Sequence, residues 1–165
     1  MPSLPVSGES QQEPDSAESL VVRRHERHIC RLGAGVSISP DSTMRFVLAR
    51  AAGNGTGVVP ATVVDCSNGG MGLEVNYFFP RGAELLVRVE PATGVESGGW
   101  LEASGIVQRV TMLSRAPNYY IGLAFKGDRS PPKPTVDRLL DWAMSAPATP
   151  GALAGMNLEV HRVRA

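Results

Sequence analysis

Val58-Val59-Pro60-Ala61-Thr62-Val63-Val64, Asp65-Cys66-Ser67-Asn68-Gly69-Gly70 and Met71-Gly72-Leu73-Glu74-Val75 follow one another without a gap and read as strand, turn and strand. The β-branched side chains suit extended backbone, and Asn68 and Gly69 supply the turn itself. Outward from this hairpin the same grammar repeats, with short apolar runs separated by Gly, Pro, Asn and Asp. Candidate strands run from His28 to Leu32 and on toward Ile38, then Met44–Ala49, Val58–Val64, Met71–Val75, Glu84–Val89, Trp100–Thr111 and Tyr119–Phe125. That number suits a small closed antiparallel barrel. Pro80-Arg81-Gly82 and Pro117-Asn118 suit turns, and Gly94–Gly99 links two longer antiparallel strands. Within the first of the late runs Leu101, Ala103, Gly105 and Val107 keep a period of two, which shifts near Arg109, as a single β-bulge would require.

After Phe125 the prolines Pro131, Pro132 and Pro134 turn the chain. Thr135 then caps a helix with an apolar face of Val136, Leu139, Leu140, Ala143 and Met144, leaving Trp142 at its margin. The chain divides into an acidic flexible arm over residues 1–20, one domain over 21–146 and a loose tail over 147–165. Within the tail, Leu158–Arg164 alternates as an edge strand or a partner-binding segment would.

With 165 residues, of which 42% are hydrophobic, the chain can bury one core but not two. A formal net charge of zero argues against a sequence-independent binder of nucleic-acid polymers. The charge is nonetheless uneven: Glu9, Glu13, Asp15 and Glu18 are followed by Arg23, Arg24, Arg27, Arg31, Arg45 and Arg50, so a local anion site is expected. The two cysteines, Cys30 and Cys66, with no apolar leader, point to a reducing, cytoplasmic setting and not to a disulfide scaffold. No apolar run reaches the length of a membrane-spanning helix. Catalytic and metal residues are both expected to be none. His25, His28 and His161 lack partners at metal-ligand spacing, no base is placed beside Cys66 or Ser67, and no paired carboxylates suggest hydrolysis.

What remains is the pairing of Arg23-Arg24-His25-Glu26-Arg27 with Asp65–Gly70. Guanidinium forks match phosphate oxygens and the Hoogsteen edge of guanine, whereas a carboxylate accepts from guanine N1–H and N2–H₂. Each element alone is a common surface feature; together they read as a nucleotide site. Arg23 and Arg27 form R-x-x-x-R, Asp65, Ser67 and Gly70 form D-x-S-x-x-G, and Ile121-Gly122-Leu123-Ala124-Phe125 follows as a Gly-containing strand. In this order the motifs resemble those of the PilZ domain family, over roughly Arg23 to Met144.

The resemblance implies a mainly all-β fold, a six-stranded antiparallel barrel with a C-terminal helix. It also implies a non-enzymatic cyclic di-GMP sensor that takes no cofactor, changes conformation on binding and signals to an unknown protein partner. Its ligand-binding residues are Arg23, Arg24, Arg27, Arg31, Asp65, Ser67 and Gly70. The arginines wrap onto the ligand from the segment before the first strand, Asp65 and Ser67 bond a base or phosphate, and Gly70 lets the backbone pass close by. Two registers stay open, Arg23 with Arg27 or Arg27 with Arg31. A PilZ-like adaptor that binds protein and no nucleotide is the alternative reading. The separation of Arg27 from Asp65, about three dozen residues, exceeds that of a minimal domain and points to an insertion around Ala51–Gly57.

Overall fold

In the computed structural model the described residues are 25–44, 55–91, 99–126 and 131–146. They form β1 (His28–Ile38), β2 (Val59–Ser67), β3 (Gly70–Val75), β4 (Glu84–Val89), β5 (Leu101–Ser114), β6 (Asn118–Phe125) and α1 (Lys133–Ser145). All six strand pairings are antiparallel, and the ring closes in the order β1-β2-β3-β6-β5-β4. Closure removes exposed sheet edges and turns one face of every strand inward.

The interior follows from alternation. Leu32, Ala34 and Val36 of β1, Leu85, Val87 and Val89 of β4, and Leu101, Ala103 and Val107 of β5 are all buried in one apolar cluster. Where the alternation slips, a bulge carries the difference. β5 runs from Val107, opposite Leu123, to Arg109, opposite Gly122, so Gln108 has no counterpart on β6. This is the shift expected near Arg109; another, between Met112 and Ser114, was not expected. A further slip, on β2, passes from Val63 opposite Leu73 to Asp65 opposite Gly72, leaving Val64 as the extra residue. Val63 and Cys66 both enter the core, so the bulge reverses β2's parity and sets Asp65 on the outer surface.

Several boundaries differ from the sequence reading. β2 continues through Asp65 to Ser67, and only Asn68 and Gly69 turn. The extra pairing is possible because Cys66 and Met71, opposite one another, are both fully buried. The long separation of the motifs falls in the connection between β1 and β2, residues 39–58; of the expected insertion, residues 51–54 lie outside the described residues. The Met44–Ala49 candidate also lies outside them except for Met44, which is exposed and in no strand. Residues 94–98 of the Gly94–Gly99 link lie outside as well, although β4 and β5 do pair.

The helix starts earlier than expected. Pro132 occupies the cap position, without a side-chain cap bond, and Thr135 sits inside the first turn. Its buried face is Val136, Leu139, Trp142 and Ala143, while Met144 is 59% exposed. Trp142 is therefore not marginal. Its large ring joins the barrel core, and the face is rotated toward it as α1 packs on β1, β2 and β5.

Candidate functional site

The β2 bulge that turns Asp65 outward also chooses its neighbours. Ile29, Asp65, Gly72, Gly122 and Arg109 stand in one row across β1, β2, β3, β6 and β5. Gly72 and Gly122 leave the middle of that row without side chains. Tyr120, two residues before Gly122 on the same face of β6, lies over this gap: a β-carbon on Gly72 would come within 2.6 Å of the Tyr120 hydroxyl and would collide with Asp65 Oδ2. The glycine is thus the floor on which the two side chains meet.

There Tyr120 donates its hydroxyl proton to Asp65 Oδ2 at 2.8 Å. Arg27, the last residue before β1, closes the group, donating from Nη1 to Asp65 Oδ1 and, at 3.1 Å, to the Tyr120 hydroxyl oxygen. The Asp65 side chain is only 14% exposed, against 38% for Arg27. A half-shielded pair of this kind feels a lower effective dielectric than a surface one. Burial is the strongest influence on Arg27 and works against its charge, yet Asp65 and Tyr120 outweigh it and hold the guanidinium above its usual range. Burial, reinforced by the Asp65 carboxylate, raises Tyr120 so that its hydroxyl stays a donor.

The segment carrying Arg27 lies across the β2–β3 turn. A β-carbon on Gly69 would come within 2.7 Å of the His25 ring. Arg27 and Asp65, one residue from each motif of the sequence reading, therefore meet at one end of the hairpin, 38 positions apart in the chain. Arg27 and Asp65 are in direct contact. Arg31 is exposed on β1, in the bulge opposite Val64 that separates Ile29 from Leu32. Arg23 and Arg24 lie outside the described residues. Contact between Arg27 and Asp65 is common to both arginine registers.

Ser67 and Gly70 are placed differently from Asp65. Ser67 is 4% exposed, its hydroxyl donates to the Gly70 carbonyl and accepts from the Gly69 amide, both at 3.3 Å, and so it ties its own turn. Gly70 backs onto β6, where a β-carbon would strike the Leu123 carbonyl, and the Phe125 amide donates to Gly69 O at 3.0 Å. These two residues build the turn on which Asp65 is mounted. Cys66 is fully buried, and burial pushes its thiol up to about 12, so it is no nucleophile at neutral pH. Among the described residues no group of three His, Cys, Asp or Glu side chains is arranged to hold a metal ion, and no helix is long and apolar enough to cross a membrane.

Tyr120 and Gly72 were not singled out from sequence, and His25 was named there only within the arginine segment and as a histidine without metal-ligand partners. Alternation does point to the first two. With Ile121 and Leu123 inside, Tyr120 and Gly122 must face out, and with Met71 and Leu73 inside so must Gly72.

No family model matches the chain, and no curated protein matches it in sequence. Similar solved structures include the Bacillus subtilis inhibitor of motility (MotI/DgrA), 13% identical with a TM-score of 0.51 over 74% of this chain and 50% of the Bacillus chain. This chain thus spans about half the length of that protein. They also include the PilZ domain with c-di-GMP of YcgR from Escherichia coli, 15% identical with a TM-score of 0.48 over 76% of this chain and 91% of that one. Identities this low speak of fold alone, and the likeness, taken with the ring of six strands and the helix that follows it, is to a PilZ-like fold.

Proposed function

We propose that the chain is a non-enzymatic receptor for cyclic di-GMP, with the ligand held at the outer end of the β2–β3 hairpin between the arginine segment and Asp65. The observation that carries this reading is the contact of Arg27 with Asp65: the arginine shared by both R-x-x-x-R registers reaches the first residue of D-x-S-x-x-G. Asp65 offers acceptors to guanine N1–H and N2–H₂, and the arginines offer bidentate donors to phosphate or to the guanine Hoogsteen edge. Arg27 already spends part of its charge on Asp65. A ligand phosphate offers it a second anionic partner, so binding draws the segment before β1 onto the nucleotide, and Arg23 and Arg24 follow on the same segment. That rearrangement is the signal a downstream protein reads.

Calorimetric titration of the whole chain with cyclic di-GMP, with GTP as control, tests the proposal. Saturable binding is expected, and the Arg23→Ala, Arg27→Ala double variant is expected to lose it, because each bidentate arginine contributes about 1–3 kcal/mol in comparable guanine readout. Absence of heat from folded protein at high ligand concentration overturns the receptor reading in favour of a protein-binding adaptor.

A further inference from the structure

We infer that Tyr120, which belongs to neither arginine nor Asp-Ser-Gly motif, is the positioning residue that makes Asp65 selective for guanine. This rests on the receptor reading above and goes beyond it, since it names what sets base specificity.

A carboxylate on a flexible surface stalk is a poor reader of bases, because rotation about its last bond presents one oxygen or two with little cost. Asp65 is not free in that way. Its Oδ2 takes the Tyr120 hydroxyl at 2.8 Å and its Oδ1 takes Arg27, so two partners fix the plane of the group. Each oxygen has two lone-pair sites, and each keeps one. Two acceptors side by side in a fixed plane complement the adjacent N1–H and N2–H₂ donors of guanine. They oppose adenine, whose N1 is itself an acceptor.

Of the two partners only Tyr120 is permanent. Arg27 lies in the segment before β1 and is the group a phosphate competes for, whereas Tyr120 stands in the middle of β6, paired with Glu74 of β3 and Thr111 of β5. Gly72 holds the place open: any side chain there would push both Oδ2 and the phenol away. Once Arg27 turns to the ligand, the Tyr120 hydroxyl alone keeps the carboxylate oriented.

The test compares cyclic di-GMP with its inosine analogue, cyclic di-IMP, which keeps N1–H and lacks N2–H₂, on wild-type chain and on Tyr120→Phe. Wild type is expected to prefer the guanine ligand by about tenfold, the worth of one hydrogen bond to a charged group. In Tyr120→Phe, which keeps the ring over Gly72, the guanine affinity is expected to fall by about tenfold and the preference to collapse toward parity, with thermal unfolding showing the variant folded. Equal loss for both ligands, or no loss, overturns the assignment and leaves Tyr120 a structural residue. Failure of wild type to bind cyclic di-GMP at all sinks the receptor reading itself, and this inference with it.

Discussion

The barrel carries two clusters built from the same parts, an arginine, a carboxylate and an aromatic ring. At one, Arg27, Asp65 and Tyr120 form a closed set of three contacts. At the other, Arg88 of β4 and Glu102 of β5 are cross-strand partners joined at 2.7 Å, and the Arg88 guanidinium stands 6.0 Å from the Trp100 ring centroid. Their burial differs sharply. The carboxylate side chain is 14% exposed at Asp65 and 53% exposed at Glu102. Their mounting differs too. Arg88 is held within the β4 ladder, whereas Arg27 precedes the first strand and is free of ladder pairing. The Tyr120 hydroxyl bonds both charged partners across a glycine floor, while Trp100, 63% exposed, stacks near the cation. The parts alone therefore do not make a site. On the proposed reading, a shielded, oriented acceptor and a cation outside the strand ladder do.

Three ways of disturbing the first cluster follow, two substitutions in descending size and then a change of pH. Asp65→Ala strikes hardest, because it strands Arg27 and Tyr120 together. Unfolding by denaturant is expected to show a loss of about 1–3 kcal/mol, the usual penalty for leaving part-buried polar partners unmet. Titration is expected to show cyclic di-GMP binding gone. Preserved binding in this variant breaks the proposed division between the two clusters. Gly72→Ala removes nothing and only adds a methyl where Asp65 and Tyr120 meet. Overpacking of this kind costs about 1–3 kcal/mol, with relaxation of the outer side chains keeping it toward the lower end. Ligand affinity is expected to fall with it; an affinity equal to wild type would show that the floor needs no glycine.

The third disturbance is alkali. Burial pushes the Cys30 thiol up to about 12, with Asp65 adding to the rise, and it does the same to Cys66, where Cys30 and Asp65 add to it. Tyr120 shifts in the same direction, from burial first and Asp65 second. Below pH 9 the thiols are protonated in folded and unfolded chain alike, so stability is intact. Between the ordinary thiol value of 9.0 and about 12 the unfolded chain sheds protons that the folded chain retains, and stability falls. Thermal melts from pH 8 to 11 should therefore decline, and Cys66→Ala should flatten the decline. A melt insensitive to pH in this window contradicts the burial of both thiols beside Asp65.

Much of the barrel was open to reading because its interior obeys one rule. Leu101, Ala103, Gly105 and Val107 alternate, and the stutter at Arg109 is visible as soon as the rule breaks. The β2 bulge was hidden for the opposite reason: Val63 and Val64 are both apolar, so a parity change between them leaves no polar mark, and Asp65 reads as the start of a turn. The helix face erred through Trp142. Spacing alone admits either Trp142 or Met144 beside Leu139 and Ala143, and packing on β1 settled it in favour of the flat, rigid ring. At the site, Arg27 and Asp65 were legible as chemistry. Tyr120 and Gly72 were not, because their meaning is in the register that sets β2, β3 and β6 side by side.

The smallest effect is expected at the second cluster, and its smallness is the point. Arg88→Ala removes an ion pair whose two side chains are 46% and 53% exposed. Water screens such a pair and solvates what is left of it, so exposed pairs are worth about 0.2–1 kcal/mol, and the cation–π contact to an exposed ring adds about 0.5–1 kcal/mol at most. Arg88 is also a strand residue whose alkyl stem shields neighbouring surface, so truncation carries a packing share that Glu102→Gln does not. Measured together, Arg88→Ala should lower stability slightly more than Glu102→Gln, and neither should alter cyclic di-GMP affinity. A loss of affinity from Glu102→Gln, a change of charge alone on the β4–β5 face, would show that this exposed trio also reads the ligand, and that burial of the carboxylate is not what sets the two clusters apart.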